Sequence, residues 1–442
     1  MNDPIHKSIT GSSAVEIAAS VERAVREGRL APGAALPTVR ALAQRLGVSP
    51  TTVAAAYRGL RGRGLLLAAG RRGTRVAATP PLRTRPAAPV PAGVLDLASG
   101  NPDPALLPPL APALRRIEAR HHLYGEPHPL PQLLGRVARE FAADGIPAPA
   151  PLPVSGALDG LERVLEAWLR PGDRIAVEDP GFTSVLDLCA ARGLAPLPVE
   201  LDDEGPLPAS LAAALAAGAE AFVLTPRAQN PTGAALTPAR EKALRAVLRA
   251  HPGALVIEDD HAGGVAGAPT RTLCDPRRER WAVLRSLSKA LGPDLRLAFL
   301  CADATTLARV EGGQRIAFRW VSMLLQRTAF ELLRDPARVR RAARVYAQRR
   351  EALRRALAAE GIASHGRSGL NVWVPVPEEG VVAQRLLAQG FSVATGERFR
   401  IRSAPALRVT TACLPVRDAP RVARAVAHGL RSGPGLAGAG VV

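Results

Sequence analysis

Ser286-Leu287-Ser288-Lys289-Ala290-Leu291-Gly292-Pro293-Asp294-Leu295-Arg296 is the stretch on which the reading of this chain turns. Of 58 basic side chains, only Lys7, Lys242 and Lys289 are lysines. Arginine stands almost everywhere else, so an amine kept at 289 points to chemistry that a guanidinium cannot do. Arginine stays protonated, whereas a desolvated lysine is a nucleophile that can form a Schiff base. Ser286 and Ser288 bring hydroxyl donors close to the amine, and Arg296 brings a guanidinium suited to bidentate phosphate binding. Together they read as a site for a covalently held aldehyde phosphate, pyridoxal 5'-phosphate. The competing reading is an exposed lysine in a polar loop. The rest of the chain decides between them.

At 442 residues the chain is long enough for two or three domains, and its 47% apolar content supports a large core. Aromatic residues make up only 3%, so that core must be built mainly of Ala, Val and Leu. The formal net charge is +19, and residues 1–90 carry 14 basic and 4 acidic side chains. About half of the charge thus sits in a fifth of the chain, which points to a polyanionic partner, double-stranded DNA first. Cys189, Cys274, Cys301 and Cys413 have neither metal-ligand nor redox spacing, so no metal is expected and the thiols read as free. No apolar run is long enough for a membrane, and the N-terminus lacks the apolar core of a signal peptide. The expected location is the cytoplasm.

Residues 1–78 read as one domain. Val15, Ile17, Ala18, Val21 and Val25 follow a helical period. Pro37-Thr38 starts a second helix with Val39, Leu42, Ala43 and Leu46 on its apolar face. Gly47-Val48-Ser49 is a tight turn with a capping serine, and Pro50 opens a third helix with Val53, Ala56, Tyr57 and Leu60 inside. Two short helices joined by a glycine turn make a helix-turn-helix. Leu65-Leu66-Leu67, Gly70-Arg71-Arg72-Gly73 and Thr74-Arg75-Val76 then read as a hairpin with an arginine tip. Residues 79–93 are a proline-rich, semi-rigid linker.

From 94 onward, short apolar strands alternate with Ala/Leu-rich helices, the pattern of a mainly parallel α/β sheet. The strand candidates are Arg174–Glu178, Ala221–Leu224, Ala254–Glu258, Ala282–Arg285 and Leu295–Leu300. The large part is expected at about 94–310, and a small C-terminal lobe at about 311–430. Polar signals cluster at strand ends, where such sheets bind ligands. Ser155-Gly156-Ala157 precedes a helix whose free N–H groups suit a phosphate. Glu178-Asp179-Pro180-Gly181-Phe182 offers an aromatic face, and Asn230-Pro231-Thr232-Gly233 an amide donor held in a turn. In Glu258-Asp259-Asp260-His261, period 2 places Asp259 and His261 on one face. A carboxylate opposite a pyridine nitrogen keeps it protonated. Each of these segments has a plainer reading as packing, a turn or a solvated loop.

Two resemblances bear on these alternatives. Leu36-Pro37-Thr38-Val39-Arg40, Leu46-Gly47-Val48-Ser49, Thr51-Thr52-Val53, Ala56-Tyr57, Gly64-Leu65 and Gly73-Thr74 resemble the winged-helix DNA-binding domain of the GntR family. That resemblance implies a third helix in the major groove, with Ser49, Thr51 and Thr52 near phosphates or base edges. It also implies Arg40, Arg71 and Arg72 on the backbone or in the minor groove. Pro50 stands where relatives commonly carry arginine. The segment from about Leu95 to Leu414 resembles fold type I, pyridoxal phosphate-dependent aminotransferases, with the motifs in the family's order. That implies Lys289 as the internal aldimine lysine, Asp259 at the pyridine nitrogen and Asn230 at the phenolic oxygen. It implies Gly156, Ala157, Ser286, Ser288 and Arg296 around the phosphate, with Phe182 stacked on the ring. Tyr124 is similar to a tyrosine that reaches a neighbouring subunit's phosphate, which implies a homodimer. Arg408 is similar to an arginine that clamps a substrate α-carboxylate. His261, an imidazole that can donate to the ring oxygen or simply pack, stands where tyrosine is usual, and Arg227-Ala228-Gln229 replaces the commoner Ser-His-Gln.

The order of winged helix, linker and aminotransferase-like domain resembles the MocR subfamily of GntR-type transcription regulators. The expected architecture is therefore multi-domain. A mostly α winged helix-turn-helix precedes an α/β transferase-like fold of type I with a small α+β lobe. The expected function is a DNA-binding regulator that senses pyridoxal phosphate or an amino compound through external aldimine formation at Lys289. The alternatives are a catalytically active aminotransferase with an attached DNA-binding domain and a degenerate scaffold.

Overall fold

The computed structural model describes residues 9–62, 65–68, 73–77, 90–118, 120–126, 128–147, 150–275, 277–317 and 319–431. The wing arginines Arg71 and Arg72 and linker residues 79–89 lie outside them.

The N-terminal unit contains helices α1 (Ala14–Arg26), α2 (Val39–Leu46) and α3 (Pro50–Gly62), then an antiparallel hairpin of β1 (Leu66–Ala68) and β2 (Thr74–Val76). Each helix start has a local cause. Ser13 accepts the Glu16 N–H and Thr38 accepts the Ala41 N–H, satisfying donors that a helix terminus leaves open. Gly47 ends α2 at φ +65°, a left-handed turn that a Cβ would strain. Ile17, Val21, Leu42, Val53, Leu60, Leu66 and Val76 close one core. Tyr57 is buried in it and donates its hydroxyl to Pro37 O at 2.9 Å, pinning α3 to the start of α2.

The C-terminal unit has two sheets. The larger has eight strands in the order β4-β11-β10-β9-β8-β5-β6-β7. In chain order these are β4 (Leu152–Val154), β5 (Arg174–Asp179), β6 (Ala195–Asp202), β7 (Gly205–Pro206), β8 (Ala219–Leu224), β9 (Leu255–Asp260), β10 (Trp281–Ser286) and β11 (Ala298–Ala302). β8, β9 and β10 pair in parallel, whereas β11 runs antiparallel to β10 and β4 antiparallel to β11. The sheet is thus mixed on this side. All six residues of β9 and of β10 are buried, as in central strands covered on both faces. One face carries Phe222, Leu224, Val256 and Leu244, and the other carries Phe141, Val283, Leu297 and Phe299. Full burial of each such side chain contributes about 1.5–3 kcal/mol.

The smaller sheet has the order β12-β14-β13-β3, with β3 (Leu95–Leu97), β12 (Asn371–Pro375), β13 (Phe391–Thr395) and β14 (Ala406–Thr410). Two expectations need correcting. Residues 95–97 belong to this sheet, pairing in parallel with β13, and not to the large part that begins the domain in sequence. The strand expected at Leu295–Leu300 starts at Ala298, because Pro293–Leu295 forms a 3-10 turn and Arg296 turns left-handed at φ +42°.

Candidate active site

The site residues gather at the C-terminal ends of β4, β5, β8, β9 and β10. Lys289 lies on the four-residue helix Ser288–Leu291 directly after β10. Its Nζ donates to Gly100 O at 2.8 Å. Burial, and then the charge of Arg408, push the amine down to about 8. A fraction of Lys289 is therefore neutral, and nucleophilic, at neutral pH.

Asp259 and Asp260 end β9 and part company there. Asp260 accepts from Arg227 Nε at 2.9 Å and Nη2 at 2.8 Å, and from Arg285 Nε at 2.8 Å. Arg285 also meets Asp144 at 2.6 Å. Although Asp260 is buried, these two guanidiniums hold its carboxyl well below the usual range. Asp259 is 4% exposed, and its Oδ1 has no hydrogen-bond partner among the described residues. Burial, and then the neighbouring Asp260 charge, raise it to about 7.

His261 does not continue the strand. Its Nε2 meets Ala228 O at 2.8 Å, which makes Nε2 the protonated nitrogen of a neutral ring. Burial first, then the Lys289 charge, lower it to about 4. Of the two readings of this position, donor to the ring oxygen or packing, the bond favours the second: the one N–H of neutral His261 goes to the main chain. Ala228 takes φ +54°, and a Cβ on Gly369 would lie 2.6 Å from the Ala228 methyl, so the turn has no room for a larger residue.

Asn230 follows β8. Its Oδ1 accepts from Arg408 Nη1 at 3.2 Å and from Asn371 Nδ2 at 3.4 Å, which turns its amide nitrogen away from both. Arg408 lies on β14, 4% exposed, and also donates through Nη2 to Ala98 O. Its Nε has no partner, and no carboxylate lies within salt-bridge distance of it among the described residues. Burial, and then the charge of Arg398, lower it to about 9.

At the other end of the site, helix Ala157–Trp168 starts with Gly156 before it. The Gly156 N–H already donates to Val154 O at 2.8 Å, so it is not the free donor expected there. Gly156 matters for what it lacks: at φ +102°, a Cβ would stand 2.5 Å from Arg296 Nη2. Arg296 Nη2 reaches Ser155 O at 3.3 Å. Ala157 sits at the helix start, and Ser286 Oγ accepts the Ser288 N–H at 3.2 Å.

Two expected residues remain, one after β5 and one on the surface. Phe182 is half-buried with no aromatic neighbour in stacking range among the described residues. Tyr124 is 78% exposed and lies against Trp320, 5.5 Å between ring centroids, with Arg319 over its face. Sequence reasoning missed Gly100 and Asn371. Asn371 had a signal, since a polar residue opens the otherwise apolar run Val372-Trp373-Val374. Gly100 had none, because it acts through its carbonyl.

The site fits pyridoxal phosphate on its own chemistry. A buried carboxylate lacks a partner, an amine is desolvated, and a guanidinium crosses a glycine in front of a helix start. At the other unit, Arg40, Ser49, Pro50 and Thr51 are exposed. Ser49 Oγ bonds Thr51 Oγ1 at 2.6 Å and Thr52 Oγ1 at 2.8 Å, and accepts the Thr52 N–H. The serine is thus a helix cap as well as a surface group.

The model for aminotransferase class I and II matches residues 92–426, and that for bacterial regulatory proteins of the gntR family matches 13–76. The vitamin B6 salvage pathway transcriptional repressor PtsJ of Salmonella typhimurium is 39% identical over 413 residues, covering 92% of this chain and 96% of that protein. The chain is a MocR-type regulator of the GntR family. The transcriptional regulator TauR of Rhodobacter capsulatus is 31% identical to this MocR-type chain, across 86% of it and 88% of TauR. LysN of Thermus thermophilus, an α-aminoadipate aminotransferase solved with N-(5'-phosphopyridoxyl)-L-leucine, superposes with a TM-score of 0.69. It is 25% identical and covers 77% of this chain and 92% of its own. The MocR-type regulator thus combines a DNA-binding domain with a pyridoxal phosphate-type transferase fold. No helix among the described residues is long and apolar enough to cross a membrane.

Proposed function

We propose that this regulator works as a homodimer that reports the supply of pyridoxal phosphate, or of an amine reacting with it, to DNA. The similarity to a vitamin B6 salvage repressor supports genes of vitamin B6 supply as targets. When bound, pyridoxal phosphate supplies an electrophilic carbon for amines and a ring that withdraws electrons. Lys289 is the residue assigned to capture it, Asp259 to hold the ring nitrogen's proton, and Asn230 to donate to the phenolic oxygen through its amide nitrogen. Ala157, Ser286, Ser288 and Arg296 are assigned to the phosphate, and Phe182 to the ring face. Arg408 orients an incoming carboxylate. His261 supports the turn that positions Asn230. Exposed Tyr124 is free to reach a second subunit. Arg40, Thr51 and the segment around Arg71 and Arg72 are assigned to DNA.

The observation that carries this reading is the unpartnered Asp259 Oδ1 in a buried site that also holds a desolvated Lys289. A carboxylate without a partner is costly in a folded core unless a bound group completes it. An effector switches such a protein only if it binds its two states with different affinity. The test is to incubate full-length protein with pyridoxal phosphate, reduce with borohydride and map the modified residue. Modification at Lys289, its loss in Lys289→Ala, and loss of cofactor-dependent DNA binding in that variant are expected. Cofactor-dependent DNA binding that survives Lys289→Ala would refute the mechanism.

A further inference from the structure

Arg398 lies in the 3-10 turn Gly396–Phe399, and its guanidinium makes no hydrogen bond or ion pair among the described residues. Its Nε is shut off from water. The acid on the facing helix, Glu379, is already taken: it accepts from Arg400 at 2.8 Å and from the Glu397 N–H at 2.9 Å. Arg398 and Arg408 share one aromatic ring. The Arg398 Cζ lies 5.3 Å from the centroid of buried Phe399, and the Arg408 Cζ 4.8 Å. The two cations are therefore no farther apart than those two lengths laid end to end. Arg408 is 4% exposed and its Nε is also unpartnered. Arg398 is half-buried, and its like charge, after burial itself, helps to lower the Arg408 guanidinium. The Asp96 charge offsets part of this, but no carboxylate lies within ion-pair distance of either guanidinium among the described residues, and an unpaired charge as buried as Arg408 is costly.

From this geometry we propose that the effector is an amino compound with two acidic groups, one for Arg408 and the second, a carboxylate or another oxyanion, for Arg398. The inference rests on the reading that this site receives an amine. A monocarboxylic amino acid satisfies Arg408 and leaves Arg398 uncompensated. A diacid of four or five carbons has its acids on a flexible stem and reaches both guanidiniums, each forming charge-assisted hydrogen bonds of about 2.7–2.9 Å. Phe399, packed against both cations, holds them by cation–π contact.

The test is to titrate full-length protein loaded with pyridoxal phosphate with L-aspartate, L-glutamate and L-cysteate, then with L-alanine and L-leucine, following the visible spectrum. Half-saturation about tenfold lower for at least one two-acid compound is expected, about 1.4 kcal/mol. Arg398→Gln should erase that preference by weakening only the two-acid set, and Arg398→Lys should keep part of it. Arg408→Gln should weaken every compound. Equal half-saturation in both sets, or a preference that survives Arg398→Gln, overturns the proposal and leaves the amine reading standing. No spectral response to any amine, while borohydride still marks Lys289, overturns the amine reading and this inference with it.

Discussion

Asp259 and Asp260 are consecutive residues at the end of one buried strand, yet Asp260 is held by two arginines and Asp259 Oδ1 by none of the described residues. The pleat sends adjacent side chains to opposite faces. One carboxylate completes a structural ion network, and the other waits in the site.

The first prediction concerns Asp259. Its folded value is raised from an ordinary 3.8 to about 7, so between those limits the folded state holds a proton that the unfolded chain has lost. That contribution to stability is full below the lower limit and is lost as pH rises through about 7. In cofactor-free protein, Asp259→Asn should therefore gain stability over wild type progressively from pH 5 to pH 8. Thermal unfolding across that range checks it. A gap that is flat or shrinks with pH contradicts the raised value. The same variant should bind pyridoxal phosphate about tenfold more weakly or worse.

Asp260→Asn should act in the opposite sense. It leaves Arg227 and Arg285 buried beside a neutral amide, and breaking a buried pair by removing one partner costs about 3–5 kcal/mol. Urea unfolding at pH 7 should show a loss of this order. A loss below about 1 kcal/mol would mean that the network relaxes around the change.

Gly156→Ala should separate the two roles of this residue. The backbone hydrogen bond to Val154 survives, but a methyl must displace Arg296 Nη2. Cofactor affinity should fall at least tenfold, and the positive φ should add about 1 kcal/mol of destabilisation. Titration with pyridoxal phosphate and denaturation, run side by side, check both. Unchanged affinity would show that Arg296 does not serve the phosphate.

In the DNA-binding unit, Ser49→Ala should cost about 1 kcal/mol of stability, because Thr52 N–H and two threonine hydroxyls lose their partner. Arg40→Ala should leave stability unchanged and reduce the salt dependence of DNA binding by about one phosphate contact. Equilibrium unfolding and DNA titrations at several salt concentrations distinguish a cap from a contact.

By itself the sequence determined the order of the parts and much of the chemistry. Three lysines in an arginine-rich chain singled out Lys289, caps and glycine turns marked the helix-turn-helix, and apolar runs marked the strands of the large sheet. These signals are local, set by residues within a turn or a strand of each other. Period 2 also separates Asp259 from Asp260 and sets His261 on the side of Asp259, although the chain leaves the strand there and the ring meets Ala228 O. What only the tertiary structure decided are partnerships between distant segments. Lys289 meets Gly100, Asn230 meets Arg408 and Asn371, and Leu95–Leu97 joins the strand at Phe391–Thr395. Sequence spacing carries no information about such pairs, because the register of strands far apart in the chain brings them together. The same holds for Arg398 and Arg408: they lie on different elements, and it is the ring of Phe399 that makes them neighbours.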